Sequence, residues 1–185
     1  MPERIANKII LAEDVEQQNL VRRYLERCGH GRRLRLVDLP ADGAGGSGEK
    51  YVRDQFAKQV QAYRSSIGKR ASALLIVIVD ADQETTRRRA AQLSSALTAA
   101  GMDQRNEDEL IAILIPKRHV ETWVRALLGE QVNETDKFKY PEPTSKQILQ
   151  AAETLYGWTR PNAEPGPTSP PSLTESIPEW RKIPS

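Results

Sequence analysis

The run Leu74-Leu75-Ile76-Val77-Ile78-Val79 breaks directly into Asp80-Ala81-Asp82-Gln83-Glu84. Six consecutive apolar, largely β-branched residues fit a strand covered on both faces, the usual state of a central strand in a parallel sheet. They fall far short of the roughly 20 residues that cross a bilayer, and no hydrophobic leader precedes them, so a soluble, cytoplasmic protein is expected with no membrane partner. The abrupt change to acid marks the strand's carboxyl end, the side of an open α/β sheet on which ligands bind.

The rest of the chain alternates in the same sense. Lys8 to Ala12 predicts a short buried strand, and Leu20, Val21, Tyr24, Leu25 and Cys28 lie at helical spacing before Gly29. Leu34 to Leu39 predicts a second strand, and Glu49 to Tyr63 a polar helix with Val52, Phe56, Val60 and Tyr63 on one face. Thr85 to Ala100 returns to helix, Leu110 to Ile115 to strand, and His119 to Leu128 to helix with Trp123 in its apolar stripe. Ser145 to Trp158 predicts a further helix. Strands alternating with helices predict an α/β fold, a Rossmann-like doubly wound sheet of about four parallel strands flanked by helices. One domain is expected over residues 1–158. Residues 159–185 carry seven prolines and few large apolar side chains, which predicts an extended Pro-rich tail, with Leu173, Ile177 and Trp180 able to dock a short segment.

Composition excludes several classes. Cys28 is the sole cysteine, so no internal disulfide forms, and with His30 and His119 far apart no zinc-module spacing exists. The net charge of +2 says little about partners, but Arg22-Arg23, Arg32-Arg33, Arg87-Arg88-Arg89 and Lys117-Arg118 are clusters suited either to phosphate or to solvated helix faces. Gly43-Ala44-Gly45-Gly46-Ser47-Gly48-Glu49-Lys50 precedes a helix as a phosphate loop does, but its Lys is displaced and no Ser or Thr follows, so that motif fails.

Glu13 follows the first strand and Asp80 the third, so a parallel sheet brings them to one edge despite their separation in sequence. With Asp82 and Glu84 they form four carboxylates that repel one another unless a divalent cation intervenes, and hard oxygen ligands favour Mg²⁺ or Mn²⁺. Alternatively each acid is a helix cap or first-turn residue.

A Glu after the first strand and an Asp-x-Asp-x-Glu after a later apolar strand resemble the Toprim domain of topoisomerases, primases and overcoming-lysogenization-defect nucleases. The likeness extends to small stand-alone Toprim-like proteins of prokaryotic defence loci, with a Glu two residues before a Trp after the fourth strand, here Glu121 and Trp123. In the first motif Asp14 stands for the usual Gly and Gln17 for the usual acid. The resemblance implies a metal-dependent nuclease, with Asp80 and Asp82 as metal ligands and Glu13 as ligand or proton-transfer group. Glu84 and Glu121 would complete that catalytic set, and Lys117 and Arg118 would bind phosphate. Implied partners are DNA or RNA and an ATPase protein, met through the tail or through Gln131 to Tyr140, with homo-oligomerisation compatible. His119 as a base is the weaker expectation beside a surface or capping role. Two alternatives stand: a receiver-like phosphoacceptor domain, with acids after strand one and Asp80 phosphorylated, and a non-catalytic subunit of a larger complex. Length excludes a topoisomerase.

Overall fold

The computed structural model describes residues 5–41, 47–67, 72–136 and 140–185. Four parallel strands, β1 (Asn7–Ala12), β2 (Leu34–Leu36), β3 (Ala73–Ile78) and β4 (Ile111–Leu114), form one sheet in the order β2-β1-β3-β4. Six helices flank it: α1 (Val15–Arg27), α2 (Gly48–Ile67), α3 (Thr86–Ala99), α4 (Val120–Leu127), α5 (Ser145–Trp158) and α6 (Pro171–Trp180). Among the described residues no helix is long and apolar enough to cross a membrane.

Every residue of β3 is buried, as its unbroken apolar pattern requires of a strand with helices on both sides. Alternate side chains feed two cores. Ile10, Ile76 and Leu114 pack with α1, α4, α5 and α6, whereas Ile9, Leu75, Val77 and Ile111 pack with α2 and α3. The register pairs Ala12 with Ile78, so Glu13 and the residues after β3 emerge side by side. The chain runs outward from β1 to β2, then returns past β1 to β3. The strand order therefore reverses between β1 and β3, and the crevice beyond their carboxyl ends is the topological switch point where doubly wound sheets bind ligands.

The Pro-rich C-terminal stretch is not an extended tail. Pro170 and Pro171 open α6, a position where a missing amide hydrogen costs nothing, and Leu173, Ile177 and Trp180 at helical spacing are buried in the α1 core. Trp180 packs tilted on Tyr24 with ring centroids 4.6 Å apart. Pro178 lies inside the helix, where burial of these neighbours outweighs its loss of a backbone bond. The segment after α4 is tied in as well: the Glu134 carboxylate accepts from Ser172 N–H (3.0 Å) and from Ser172 Oγ (2.6 Å), capping α6 from outside.

Candidate metal centre at the strand ends

Local chain chemistry sets the first wall of the site. Asp14 takes an extended conformation and caps α1 through a bond from Gln17 N–H (2.9 Å), which explains an acid where a turn glycine was expected. The cap turns Gln17 inward, completely buried. Its Oε1 accepts from Glu13 N–H (2.9 Å) and its Nε2 donates to Asp80 Oδ1 (2.9 Å). Asp80 N–H in turn donates to Glu13 Oε2 (3.0 Å), so the ends of β1 and β3 are stitched in both directions. A Cβ at Gly48 would lie 2.3 Å from Glu13 Cγ, so only glycine lets α2 begin this close to the site.

The turn after β3 is held from beneath. Arg89, 3% exposed, donates to the carbonyls of Asp80 (2.9 Å) and Ala81 (3.2 Å), and its Nη1 pairs with Glu49 (2.8 Å). Asp82 sits in the left-handed region at φ 56°, which aspartate tolerates better than most residues. Lys117 Nζ donates to the Asp82 and Glu84 carbonyls, so its ammonium fixes this turn. From the β4 side, His119 brings Nδ1 to 3.6 Å from Asp80 Oδ2, and although it stands at the N-cap place of α4 its ring makes no capping bond.

Asp80, Asp82 and His119 thus each offer a ligand atom, all within 4.8 Å of one another, and the group could hold a metal ion. Electrostatics favour a cation. Burial, then the neighbouring Asp80, pushes the Glu13 carboxyl up to about 8. Burial, then Asp14 and Asp82, raises Asp80 well above the ordinary carboxylate range, against the opposing bond from Gln17. Among the described residues these carboxyls gain no arginine or lysine partner of their own, unlike Glu49, which pairs with Arg53 and Arg89. A mixed set of two carboxylates and one imidazole fits a divalent first-row ion.

The remaining expected site residues are distributed around this group. Glu13 is beside it, bound to the Asp80 backbone, but is not one of the three converging ligands. Glu84 turns its carboxylate to Arg88 (3.1 Å). Glu121 is buried in the first turn of α4 and contributes to the field that raises Asp80. Arg118 donates to the Thr135 carbonyl (3.1 Å) and, with Arg53, Gln92 and Asp82, lines a polar hollow of about 390 Å³. In the glycine-rich stretch, Gly43 to Gly46 lie outside the described residues, while Gly48 to Lys50 open α2. Sequence reasoning missed the buried roles of Gln17 and Arg89 and underrated His119. The first had a legible cue in the Asp14-to-Gln17 capping spacing; the others depend on tertiary placement. No family model matches the chain, and neither a curated protein nor a solved structure matches it either.

Proposed function

We propose that this chain is a Toprim-like, Mg²⁺- or Mn²⁺-dependent nuclease that hydrolyses nucleic-acid phosphodiester bonds. The observation that carries the proposal is the convergence of Asp80, Asp82 and His119 at the switch point of the sheet, beside carboxyls that burial holds toward their protonated forms. The Glu13, Asp80 and Asp82 positions that resemble the Toprim motifs supply the reaction class. A bound divalent cation would neutralise charge on a phosphodiester and acidify a water. The imidazole nitrogen of His119 makes Mn²⁺ as suitable as Mg²⁺.

The chain's own groups have separable tasks in this scheme. Asp80, Asp82 and His119 hold the cation. Glu13, whose carboxyl burial and Asp80 push up to about 8 in the metal-free chain, is placed to hold or accept a proton next to them. Gln17 orients Asp80 through Oδ1 and leaves Oδ2 toward His119. Lys117 and Arg89 fix the Asp80–Glu84 turn, and Arg118 and Arg53 border the hollow in which backbone phosphates of DNA or RNA would lie. Dependence on an ATPase partner, and a place in anti-phage defence, follow from the resemblance alone.

The test is cleavage of plasmid, single-stranded DNA and tRNA with Mg²⁺ or Mn²⁺, with and without candidate ATPases. Asp80→Asn is expected to lower cleavage by about 100-fold or more, and Glu13→Gln by a comparable factor. Cleavage retained in both variants would reject the assignment. A receiver-like role fits less well, since Asp80 is only 4% exposed and one of its oxygens is bound by Gln17. Stable acid-labile phosphorylation of Asp80 would reverse that preference.

A further inference from the structure

The free edge of β4 is read by side chains rather than by a fifth strand. Leu75, Val79 and Ala81 donate to the carbonyls of Leu110, Leu114 and Pro116, so the even-numbered carbonyls face β3 and the odd-numbered backbone groups of β4 face outward. Arg105 Nη1 donates to the Ile111 carbonyl (2.8 Å), and Glu179 Oε2 accepts from Ile113 N–H (2.9 Å). Ser172 Oγ accepts from Lys117 N–H (3.3 Å). Between them the Ile113 carbonyl and the Ile115 amide have no hydrogen-bond partner among the described residues, although Ile115 is 8% exposed. Edge-strand carbonyls and amides without a protein partner are open to a ligand or to water.

Both residues line a hollow of about 540 Å³ between α3 and α6, within the roughly 300–1,000 Å³ typical of small-molecule sites. Its apolar wall includes Phe56, Ala90 and Leu97, and Ser94 and Ser176 leave room where larger side chains would fill it. Thr86 Oγ1 bonds to Glu175 (3.1 Å) and Arg105 pairs with Glu179, so polar pairs join α3 to α6 and the β4 edge to α6 around the hollow. Arg87 stands exposed at the rim and makes no ion pair among the described residues.

The carbonyl of residue i and the amide of residue i+2 on an extended chain point to the same side. A planar ring edge with adjacent donor and acceptor satisfies both. We propose that this hollow is a mononucleotide site: the base donates to the Ile113 carbonyl, accepts from the Ile115 amide and lies on the apolar wall, and the phosphate reaches Arg87. The site is distinct from the strand-end acids and does not require a cation there.

The test titrates the ¹⁵N-labelled full chain with AMP, CMP, GMP, UMP and ribose 5-phosphate. At least one nucleotide is expected to shift the Ile115 amide saturably at millimolar concentration, and ribose 5-phosphate to leave it unmoved. Ala90→Leu, or Ser94→Leu on the exposed helix surface should the first fail to fold, is expected to weaken binding by about tenfold or more. Arg87→Gln should weaken the nucleotide but not its nucleoside. The proposal is overturned if no nucleotide moves Ile115, if ribose 5-phosphate binds as well as the nucleotides, or if the wall substitutions leave affinity unchanged.

Discussion

Two carboxylate regions at the margin of one sheet are built in opposite ways. On the β4 edge, Glu179 is offered the Arg105 guanidinium, the Ile113 amide and the Lys182 ammonium, and although burial opposes them these partners hold its carboxyl below the ordinary range. At the ends of β1 and β3, Asp80 is buried and Glu13 half-buried; a backbone amide bonds Glu13, the Gln17 amide bonds Asp80 and the His119 ring stands 3.6 Å from it, and both carboxyls are pushed upward. The first arrangement is what a carboxylate needs to serve as structure. The second disfavours ionisation of both carboxyls, so that charging them without a cation costs stability, which is how functional sites are commonly tuned.

The contrast is easiest to break by removing each carboxylate in turn. Glu179→Ala leaves Arg105 and the Ile113 amide without their acceptor and is expected to destabilise by about 3 kcal/mol, lowering Tm by roughly 6–12 °C. Chemical denaturation monitored by circular dichroism checks this, and a loss below about 1 kcal/mol would show the β4 pairing to be dispensable.

Asp80→Asn and Glu13→Gln should do the reverse in metal-free protein. Each isostere keeps an acceptor oxygen but removes a charge, so a gain of about 1–2 kcal/mol is expected near pH 8. The two regions also differ in pH dependence. Because the Glu13 carboxyl is raised to about 8, its contribution is fully present below its ordinary value of 4.5 and is lost as pH rises toward 8. Glu179, depressed below its ordinary value, contributes above it and loses its contribution only as pH falls below that value. Metal-free wild type should therefore lose stability between about pH 4.5 and 8, and Glu13→Gln should flatten that decline. An identical pH profile for the two proteins would remove Glu13 from the account. A smaller effect, about 0.5–1 kcal/mol, is expected for Lys117→Ala, which frees the Asp82 and Glu84 carbonyls to solvent.

Much of this arrangement is legible in the residues themselves, and the exceptions have physical causes. β3 is visible because a two-sided strand cannot alternate, and α5 because Ile148, Ala151, Ala152 and Leu155 keep one helical face, capped by the Thr144 and Gln147 box. The prolines around α6 pointed to an extended chain, whereas two of them occupy the helix start and the i, i+4, i+7 spacing of Leu173, Ile177 and Trp180 decided the outcome. The acids at 13, 80 and 82 were readable from their places after strands. His119 was not, because nothing local distinguishes a capping histidine from one that tertiary packing carries to 3.6 Å from Asp80. Arg87, Arg88 and Arg89 look alike in sequence, yet only the third is buried, since its position on α3 points it at the turn after β3.

The central claim, that Asp80, Asp82 and His119 hold a divalent cation, is tested most directly by Mn²⁺ binding to the full chain, measured by calorimetry and by thermal shift. Binding is predicted to stabilise wild type by about 2.7 kcal/mol at 100-fold excess over the dissociation constant, and that gain should vanish in Asp80→Asn and shrink in His119→Ala. Equal stabilisation of wild type and both variants, or no binding to wild type at all, would contradict the account.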